Sequence, residues 1–304
     1  MSDAPIFLVG AARSGTTLLQ YMLRSHPQIS LPTGESHFFI PFYQRREEFG
    51  DLSKKNNLQN LLSSIYRQKA PFFDEELHGI KFNVDEFTDL LYKQGLHTVP
   101  QIINGIMSAN AAGEGKQRWG DKTPYYILHL ETLLEMFPDA QFVHIIRDGR
   151  DCALSMLERK WDLKIFNTYH AAYLWNRYVE HGVEFGRKYP DIYIELRYED
   201  LLAEPEKNVE RLCNFLNIEY SESVINFRKS DGSGKTSLLT QPLQKNNSEK
   251  WRTKMSDRQV RVFEALAGDM LAQNDYPLAT ENHHLSVIEE ALYNAHIRLF
   301  QLFS

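Results

Sequence analysis

A turn rich in glycine, serine and threonine follows the first apolar run of the chain and has the composition of a phosphate site. It reads Gly10-Ala11-Ala12-Arg13-Ser14-Gly15-Thr16-Thr17. The two glycines are separated as in a Walker A loop, and Thr17 stands at the Ser/Thr position, but Thr16 replaces the lysine. Such a turn is suited to a 5′-phosphate and poorly equipped for transfer of the γ-phosphoryl group of ATP. An ordinary strand-to-helix turn is the alternative.

A lysine further along the chain also stands where an anion could dock. Lys122 lies in Asp121-Lys122-Thr123-Pro124-Tyr125-Tyr126. Thr123 is a candidate N-cap, and Pro124 suits the first helical position. A lysine just before a helix N-terminus opposes the helix dipole unless an anion also binds there. A solvated surface lysine is the alternative.

A second arginine-containing turn follows an apolar run. Arg147-Asp148-Gly149-Arg150-Asp151 comes directly after Gln141 to Ile146, and Ser155 stands eight residues beyond Arg147. The guanidinium fork of arginine binds phosphate through two hydrogen bonds, and a serine on the following helix can add a third donor. A salt-bridged turn is the alternative.

Two candidate general bases lie two residues apart. Glu35 and His37 are part of Gly34-Glu35-Ser36-His37-Phe38-Phe39. If this segment is extended, both side chains point to the same side, so the spacing does not separate them.

The elements that position these residues alternate between strands and helices. Apolar runs at 6–9, 141–146 and 191–196 are typical of strands buried in a parallel sheet, and each is followed by a helical pattern. Ligands of such sheets gather beyond the carboxyl ends of the strands, so Arg13 and Arg147 should share one rim. The pattern therefore predicts an α/β fold.

The rest of the chain fits around that framework. Residues 40–118 predict inserted helices and loops rich in aromatic residues, some of them core and some lining an acceptor cleft. Residues 228–250 predict a loop. A capping box at Ser256 to Gln259 opens a helix. The apolar-faced helix at 286–303 could dock on the core, pair with a second subunit or touch a membrane, with core docking as the default.

Composition limits the partners. The 304-residue chain carries a net charge of −6, which argues against a general nucleic-acid binder. Its two cysteines are too few for a disulfide framework, and their spacing suggests no zinc site. The N-terminus predicts neither a signal peptide nor a transmembrane segment, so we expect a cytoplasmic protein.

These motifs resemble those of sulfotransferases that use 3′-phosphoadenosine 5′-phosphosulfate (PAPS). Ala12-Arg13-Ser14-Gly15-Thr16-Thr17-Leu18-Leu19 is similar to their 5′-phosphosulfate loop, with Ala12 where the family usually has proline, and the Arg147 turn with Ser155 is similar to their 3′-phosphate motif. The Lys122 segment resembles the lysine segment of heparan sulfate and tyrosylprotein sulfotransferases. The resemblance implies a single domain with a P-loop-like three-layer fold, in which a central parallel sheet is flanked by helices. It covers roughly residues 5–40, 119–160, 190–218 and 245–252.

The resemblance also assigns roles to residues. Glu35 matches the glutamate that takes the acceptor proton in heparan sulfate 3-O-sulfotransferases, which leaves His37 to orient the acceptor or to pack. Lys122 and Arg13 would neutralise charge as the bridging oxygen departs. The implied cofactor-binding residues are Arg13, Ser14, Gly15, Thr16, Thr17, Arg147, Ser155, Arg159, Tyr198 and Lys250. The implied acceptor-binding residues are His37, Phe39 and Tyr43, and no metal is required.

The predicted reaction is transfer of a sulfonate group from PAPS to a hydroxyl or amine. The acceptor stays open among small molecules, lipids, glycans and peptides, and a homodimer is one arrangement for the last helix. A P-loop kinase that uses ATP and Mg²⁺ is the rival enzyme, and a non-catalytic nucleotide-binding module is the rival outside enzymes. The missing Walker lysine counts against the kinase, and a carboxylate and a lysine beside the loop count against a pure sensor.

Overall fold

Five parallel strands form the sheet at the centre of the described chain. The structure is a computed structural model that describes residues 4–77, 82–227, 244, 247–281 and 284–301. The strands are β1 Ile6–Val9, β2 Ile29–Ser30, β3 Arg118–Lys122, β4 Gln141–Ile146 and β5 Tyr193–Arg197. Their order across the sheet is β2-β3-β1-β4-β5, and every neighbouring pair is parallel. The carboxyl ends of all five strands therefore share one edge.

Helices cover both faces of this sheet. The first five helices lie between β1 and β3: α1 Thr16–Arg24, α2 Phe39–Gln44, α3 Lys55–Pro71, α4 Val84–Lys93 and α5 Val99–Gly113. The next four precede β5: α6 Leu130–Met136, α7 Gly149–Glu158, α8 Lys160–Leu163 and α9 Thr168–Lys188. The last five are α10 Tyr198–Ala203, α11 Pro205–Leu216, α12 Trp251–Lys254, α13 Asp257–Gln273 and α14 Val287–Gln301. Short 3₁₀ turns occupy Arg46–Phe49, Pro124–His129 and Glu222–Val224, and a π-helical turn occupies Phe72–Glu76.

Alternate residues of β1 reach the cores on the two faces of the sheet. Phe7 and Val9 enter a core that includes side chains of α2 to α6, whereas Ile6 and Leu8 enter a core with α1, α10 and α11. A third core joins α7, α9 and α13. Because β1 is central, all four of its residues are fully buried. The predicted α/β fold with a parallel sheet between helical layers is confirmed.

The strand predictions succeeded where the strand is apolar. β1 and β4 have the predicted bounds, and the third predicted strand begins two residues late. β3 was not predicted as a strand because its sequence, Arg118-Trp119-Gly120-Asp121-Lys122, is mostly polar. All five of its residues are nevertheless buried. Hydrogen bonds make this burial tolerable: the Arg118 guanidinium donates to the carbonyl oxygen of Leu216 at 2.7 Å and to Gln141 Oε1 at 2.6 Å.

The segments outside the predicted strands are partly as expected. The inserted segment contains α2 to α5, as its pattern predicts. The predicted capping box at Ser256 and Gln259 opens α13, and α14 stacks Tyr293 on Tyr169 with ring centroids 5.4 Å apart. Most of the loop predicted at 228–250, namely residues 228–243 and 245–246, lies outside the described residues. Among the described helices, none is long and apolar enough to cross a bilayer.

Candidate active site

The glycine-rich turn ends β1 and opens α1, as predicted. Gly15 is the N-cap of α1 and adopts φ 102°, a conformation that favours glycine, and Arg13 adopts φ 69°. This backbone path brings the unpaired N–H groups of the first turn of α1 to the edge of the sheet. The Ser14 hydroxyl is fully buried and has no hydrogen-bond partner. The turn thus presents backbone and hydroxyl donors that an anion would satisfy.

Tyr198 packs directly against this turn. A Cβ atom added at Gly15 would lie 2.5 Å from Cδ2 of the tyrosine ring, so the ring fixes the turn from one side. The Arg147 guanidinium lies 4.6 Å from the centre of the same ring. The structure therefore brings the start of α10, the phosphate turn and the Arg147 turn together.

Arginine side chains crowd the rim between β1 and β4. Arg13 Nε donates to Ser155 Oγ at 2.9 Å, and Arg147 Nη1 donates to the carbonyl oxygen of Arg13 at 3.3 Å. Burial lowers the pKa of Arg13, and the charges of Arg159 and Arg147 lower it further. The buried Nε of Arg147 has no hydrogen-bond partner. Neighbouring guanidinium groups with an unused donor offer the charge and hydrogen bonds that a phosphate group binds.

Arg159 stands at the outer side of this cluster. Its side chain is 44% exposed and pairs with Asp162 at 3.1 Å. Its charge lowers the pKa of Arg13, so it lies near the arginine cluster. Solvent and the carboxylate of Asp162 weaken the effect of that charge. We expect it to contribute less than Arg147.

Lys250 reaches the cluster through a residue that the sequence reasoning missed. The carbonyl oxygen of Asn247 accepts from Arg147 Nη2 at 3.0 Å, and its Nδ2 donates to the Tyr198 hydroxyl at 2.7 Å. Lys250 Nζ donates to Asn247 Oδ1. The signal available in the sequence was the position of Asn247 three residues before Lys250, on the same turn. Asn247 ties the lysine to the 3′-phosphate candidates.

The second arginine of the Arg147 turn serves the fold instead. Arg150 is fully buried, donates to Asp148 Oδ2 and Glu264 Oε1 at 2.7 Å each, and lies 3.6 Å from the centre of the Trp251 ring. Trp251 also contacts this turn, since its backbone N–H donates to Asp151 Oδ1 at 2.9 Å. This ion-pair cluster ties α7 to α13 and to the segment that carries Lys250.

Lys122 and the two candidate bases form one contact group. Lys122 Nζ donates to Glu35 Oε1 at 2.7 Å, and His37 Nε2 lies 2.9 Å from Glu35 Oε2. Burial raises the pKa of Glu35, but the His37 hydrogen bond and the charge of Lys122 outweigh it and lower that pKa to about 2. Glu35 is therefore ionised at neutral pH.

The geometry of this group departs from the sequence reasoning in two details. Lys122 is the last residue of β3 and 2% exposed, so it belongs to a strand end and not to the approach of a long α-helix. His37 has φ 52°, so the Glu35 segment is not extended, although the two side chains still meet. Register places Lys122 beside Leu8 of β1, just before the phosphate turn.

Two predicted acceptor contacts are not brought to the base. Phe39 is fully buried, and its ring packs edge-on against Phe7 and Trp119, so it has no surface to offer an acceptor. The Tyr43 hydroxyl donates to Glu135 Oε1 at 2.6 Å. Tyr43 lines an open cavity of about 1080 Å³ beside Gln141, at the amino ends of the strands. Helix α2 carries the chain away from the site, which is why proximity in sequence misled the prediction.

One tyrosine from another element feels the charge of Glu35. Burial raises the pKa of Tyr178 on α9, and the neighbouring Tyr125 hydroxyl and Glu35 carboxylate raise it further. Tyr125, on the 3₁₀ turn after β3, is 43% exposed. Neither residue was predicted as a site residue, and a tyrosine on a long amphipathic helix such as α9 carries no sequence signal of its own. Both are candidates to line the acceptor entrance.

A parallel α/β sheet with a lysine-free phosphate turn, an arginine cluster and a lysine–glutamate pair defines a nucleotide-dependent group transferase. The comparison with known families narrows this class. A model described as the sulfotransferase family matches residues 5–222, more than half of the chain, and the chain belongs to that family. The predicted sulfotransferase class is confirmed.

Relatives and solved structures agree with this assignment. The chain is 26% identical to a putative protein-tyrosine sulfotransferase of Caenorhabditis briggsae, covering 75% of this chain and 70% of the relative. It is 28% identical to protein-tyrosine sulfotransferase 1 of Danio rerio, covering 76% of this chain but only 58% of the relative. The fold resembles the sulfotransferase domain of the Synechococcus PCC 7002 olefin synthase, with a TM-score of 0.58, 23% identity and coverage of 88% of this chain and 96% of that one. The sulfotransferase domain of the curacin biosynthetic pathway gives a TM-score of 0.59, 21% identity and coverage of 91% and 99%.

Proposed function

We propose that the protein transfers a sulfonate group from PAPS to a hydroxyl group of its acceptor. The observation that carries this proposal is the Lys122–Glu35 pair at the end of β3, 2.7 Å apart and in register with the strand that leads into the phosphate turn. A passive nucleotide sensor has no need for a buried lysine bound to an ionised carboxylate at that place, and a P-loop kinase carries its lysine within the loop, where this chain has Thr16.

The unsatisfied groups of the site fit the donor. The turn from Arg13 to Thr17 would hold the 5′-phosphosulfate, where the Ser14 hydroxyl lacks a partner. Arg147, with its free Nε, would hold the 3′-phosphate together with Ser155. Arg159, Tyr198 and Lys250 would complete the nucleotide site. When bound, PAPS supplies the activated sulfonate.

The proposed proton transfer uses Glu35. The acceptor oxygen bonds to sulfur, the bond from sulfur to the bridging oxygen breaks, and the acceptor proton passes to Glu35. Lys122 neutralises the bridging oxygen and Arg13 the adjoining phosphate, so that adenosine 3′,5′-bisphosphate leaves. Lys122 cannot fully serve both anions. Donor binding would therefore draw it from Glu35, and the pKa of Glu35 would rise towards the range in which a carboxylate is an effective base.

The acceptor class is proposed from the site and the relatives. The named relatives are described as protein-tyrosine sulfotransferases, one of them as putative, and Tyr125 and Tyr178 would give an acceptor entrance near Glu35 an aromatic lining. A tyrosine-containing peptide is therefore the first acceptor to test. The cytoplasmic location and the homodimer remain predictions.

Sulfur-labelled PAPS tests the proposal directly. The protein is incubated with labelled donor and, separately, a tyrosine-containing peptide, its phenylalanine counterpart, a long-chain alcohol and a neutral sugar. We expect label on the tyrosine peptide and none on its phenylalanine counterpart. Label on the alcohol or sugar alone would replace the acceptor class and keep the reaction. No transfer to any acceptor, with bisphosphate bound no more tightly than AMP, would refute the proposed function.

A further inference from the structure

A buried carboxylate that the proposed mechanism does not use lies directly beside Lys122. Asp121 is 1% exposed, and neither of its carboxylate oxygens has a hydrogen bond of ordinary geometry. It pairs in register with Phe7, so its side chain enters the aromatic core on the face of the sheet opposite to Lys122. An unpaired carboxylate in such a place is costly to the fold and calls for a reason.

Three buried hydroxyl groups lie around this carboxylate. They belong to Ser36, Thr123 and Tyr126, each at most 1% exposed. Ser36 Oγ lies 2.9 Å from the Tyr126 hydroxyl and 3.4 Å from Thr123 Oγ1. Hydrogen bonding to the hydroxyls of Thr123 and Ser36 affects the ionisation of Asp121, so these two groups face it.

Backbone N–H groups fix how these hydroxyls are used. Ser36 N–H donates to Thr123 Oγ1 at 3.1 Å, and Phe39 N–H donates to the Tyr126 hydroxyl oxygen at 3.0 Å. Two hydroxyl oxygens therefore act as acceptors for the segment that carries Glu35 and His37. That segment needs such anchors, since His37 holds the uncommon φ of 52°.

A count of hydrogens shows what the carboxylate contributes. The three hydroxyls carry three hydrogens, but only two contacts join them to one another. At least one hydrogen must go to an acceptor outside these contacts, and the carboxylate of Asp121 faces Ser36 and Thr123. An ionised Asp121 draws hydrogens towards itself and leaves the oxygens of Thr123 and Tyr126 free to accept the two N–H groups.

We propose that Asp121 is a positioning residue, which orients the hydroxyls of Ser36, Thr123 and Tyr126 so that they hold the Glu35 segment against Lys122. The role of Glu35 in this statement rests on the proposed function, whereas the hydrogen-bond direction does not. In this proposal Asp121 contacts neither PAPS nor the molecule that accepts the sulfonate group. It acts only through the backbone that follows Glu35, at Ser36 and Phe39.

Amide hydrogen exchange tests the hydrogen-bond direction without any substrate. In Asp121→Asn the carboxylate is replaced by an amide of the same size, whose N–H hydrogens compete with the N–H groups of Ser36 and Phe39 for the hydroxyl oxygens of the network. We expect both to exchange about tenfold faster relative to Leu8 of β1. The exposed Asp191→Asn, a matched control, should leave them unchanged. Equal protection of Ser36 and Phe39 in Asp121→Asn and the wild type would overturn the inference.

Substitutions at Thr123 separate positioning from general damage. Thr123→Val removes the acceptor of Ser36 N–H and should release that amide, whereas Thr123→Ser keeps the hydroxyl and should protect it. If Asp121→Asn does not fold, the two Thr123 variants test the inference instead. Unchanged protection of the Ser36 N–H in Thr123→Val would overturn it.

Kinetics connect the network to the base. With labelled PAPS and the tyrosine peptide, Asp121→Asn should lower kcat about 10- to 100-fold and leave the donor KM unchanged. When Asp121→Asn is combined with Glu35→Gln, kcat should fall no further than in Glu35→Gln alone, because Asp121 acts through Glu35. Multiplicative losses would overturn the positioning role. A wild type without transfer activity but with the expected exchange pattern would refute the proposed function alone.

Discussion

Glu35 binds Lys122 through one carboxylate oxygen and His37 through the other. We predict that Glu35→Gln lowers kcat by about 10²–10⁴, since a general base contributes that much. The affinity for adenosine 3′,5′-bisphosphate should stay nearly unchanged. Steady-state kinetics with calorimetry measure both. His37→Ala should cost less, and an active Glu35→Gln with an inactive His37→Ala would assign the base to the histidine.

Arg147 is the residue on which recognition of the 3′-phosphate depends in our proposal. Arg147→Ala should weaken bisphosphate binding by about 1.5–3 kcal/mol and change AMP binding little, because AMP has no 3′-phosphate. Calorimetry without Mg²⁺ gives both affinities. Arg211→Ala, an exposed arginine that donates to the carbonyl oxygen of Glu195, is the matched control and should bind as the wild type does. Equal losses for both nucleotides would remove the 3′-phosphate assignment.

Asp121 should cost the protein stability at neutral pH. Burial raises its pKa from the ordinary 3.8 to about 6, although hydrogen bonding to Thr123 and Ser36 and the charges of Lys122 and His37 oppose the shift. Between these two pH values the folded state keeps a proton that the unfolded state has lost, so the free energy of unfolding falls as pH rises.

The difference in stability between Asp121→Asn and the wild type should depend on pH. Asp121→Asn lacks this titration. Its free energy of unfolding, relative to that of the wild type, should therefore rise by up to about 3 kcal/mol between pH 4 and pH 7.5. Urea denaturation at both pH values measures the difference, and other titrations cancel in it. A gap that does not change with pH would show that the carboxylate is not strained by burial.

At the scale of elements, the turn between β1 and α1 depends on a glycine. Gly15→Ala places a methyl group 2.5 Å from the Tyr198 ring at a φ of 102°. We predict a loss of more than about 1 kcal/mol in stability and weaker bisphosphate binding, because both the turn and the tyrosine must shift. Gly113→Ala at the end of α5 meets nothing within 4 Å and should change stability by less than about 1 kcal/mol. Thermal unfolding and calorimetry compare the two, and a tolerant Gly15→Ala would contradict the packing.

The elements also show how far sequence reasoning reached. β1 and β4 were predictable because a short run of apolar residues is typical of a buried strand. β3 was not, because Arg118 and Lys122 are buried through partners distant in sequence, and the carboxylate of Asp121 is buried without one. The strand-and-turn pattern predicted that Arg13 and Arg147 share one rim of the sheet, and the structure places them in contact there. The surroundings of Phe39 and Tyr43 were not predictable, since they depend on the direction of α2, which no local pattern fixes.

Some residues of the candidate site could be predicted from local sequence and others could not. Glu35 contacts Lys122, Ser155 contacts Arg13, and Tyr198 packs against Arg147, since all of them stand at or after the carboxyl ends of parallel strands. Asn247 and Tyr178 reach the site from segments whose placement requires the whole fold. Their roles became visible only from contacts.

For the whole molecule, we predict a single cooperative unfolding transition, since three cores share the strands and helices around one sheet. Bisphosphate at 100 times its dissociation constant should stabilise the folded state by about 2.7 kcal/mol. AMP at the same concentration should shift the transition less. Calorimetric scans with each nucleotide measure this, and two separable transitions would contradict the single domain that we propose.

The central place of β1 also shapes how the chain is made. Ile6 pairs in register between Gly120 and Gln141, so β1 has neither neighbouring strand until both have left the ribosome. At about 5–20 residues per second, this wait is on the order of ten seconds. Helix α1 and the aromatic pair at 38–39 follow at once and can cover the two apolar faces of β1, but its backbone edges stay open. The nascent chain is thus most exposed to misassembly through the same strand that later carries the phosphate turn.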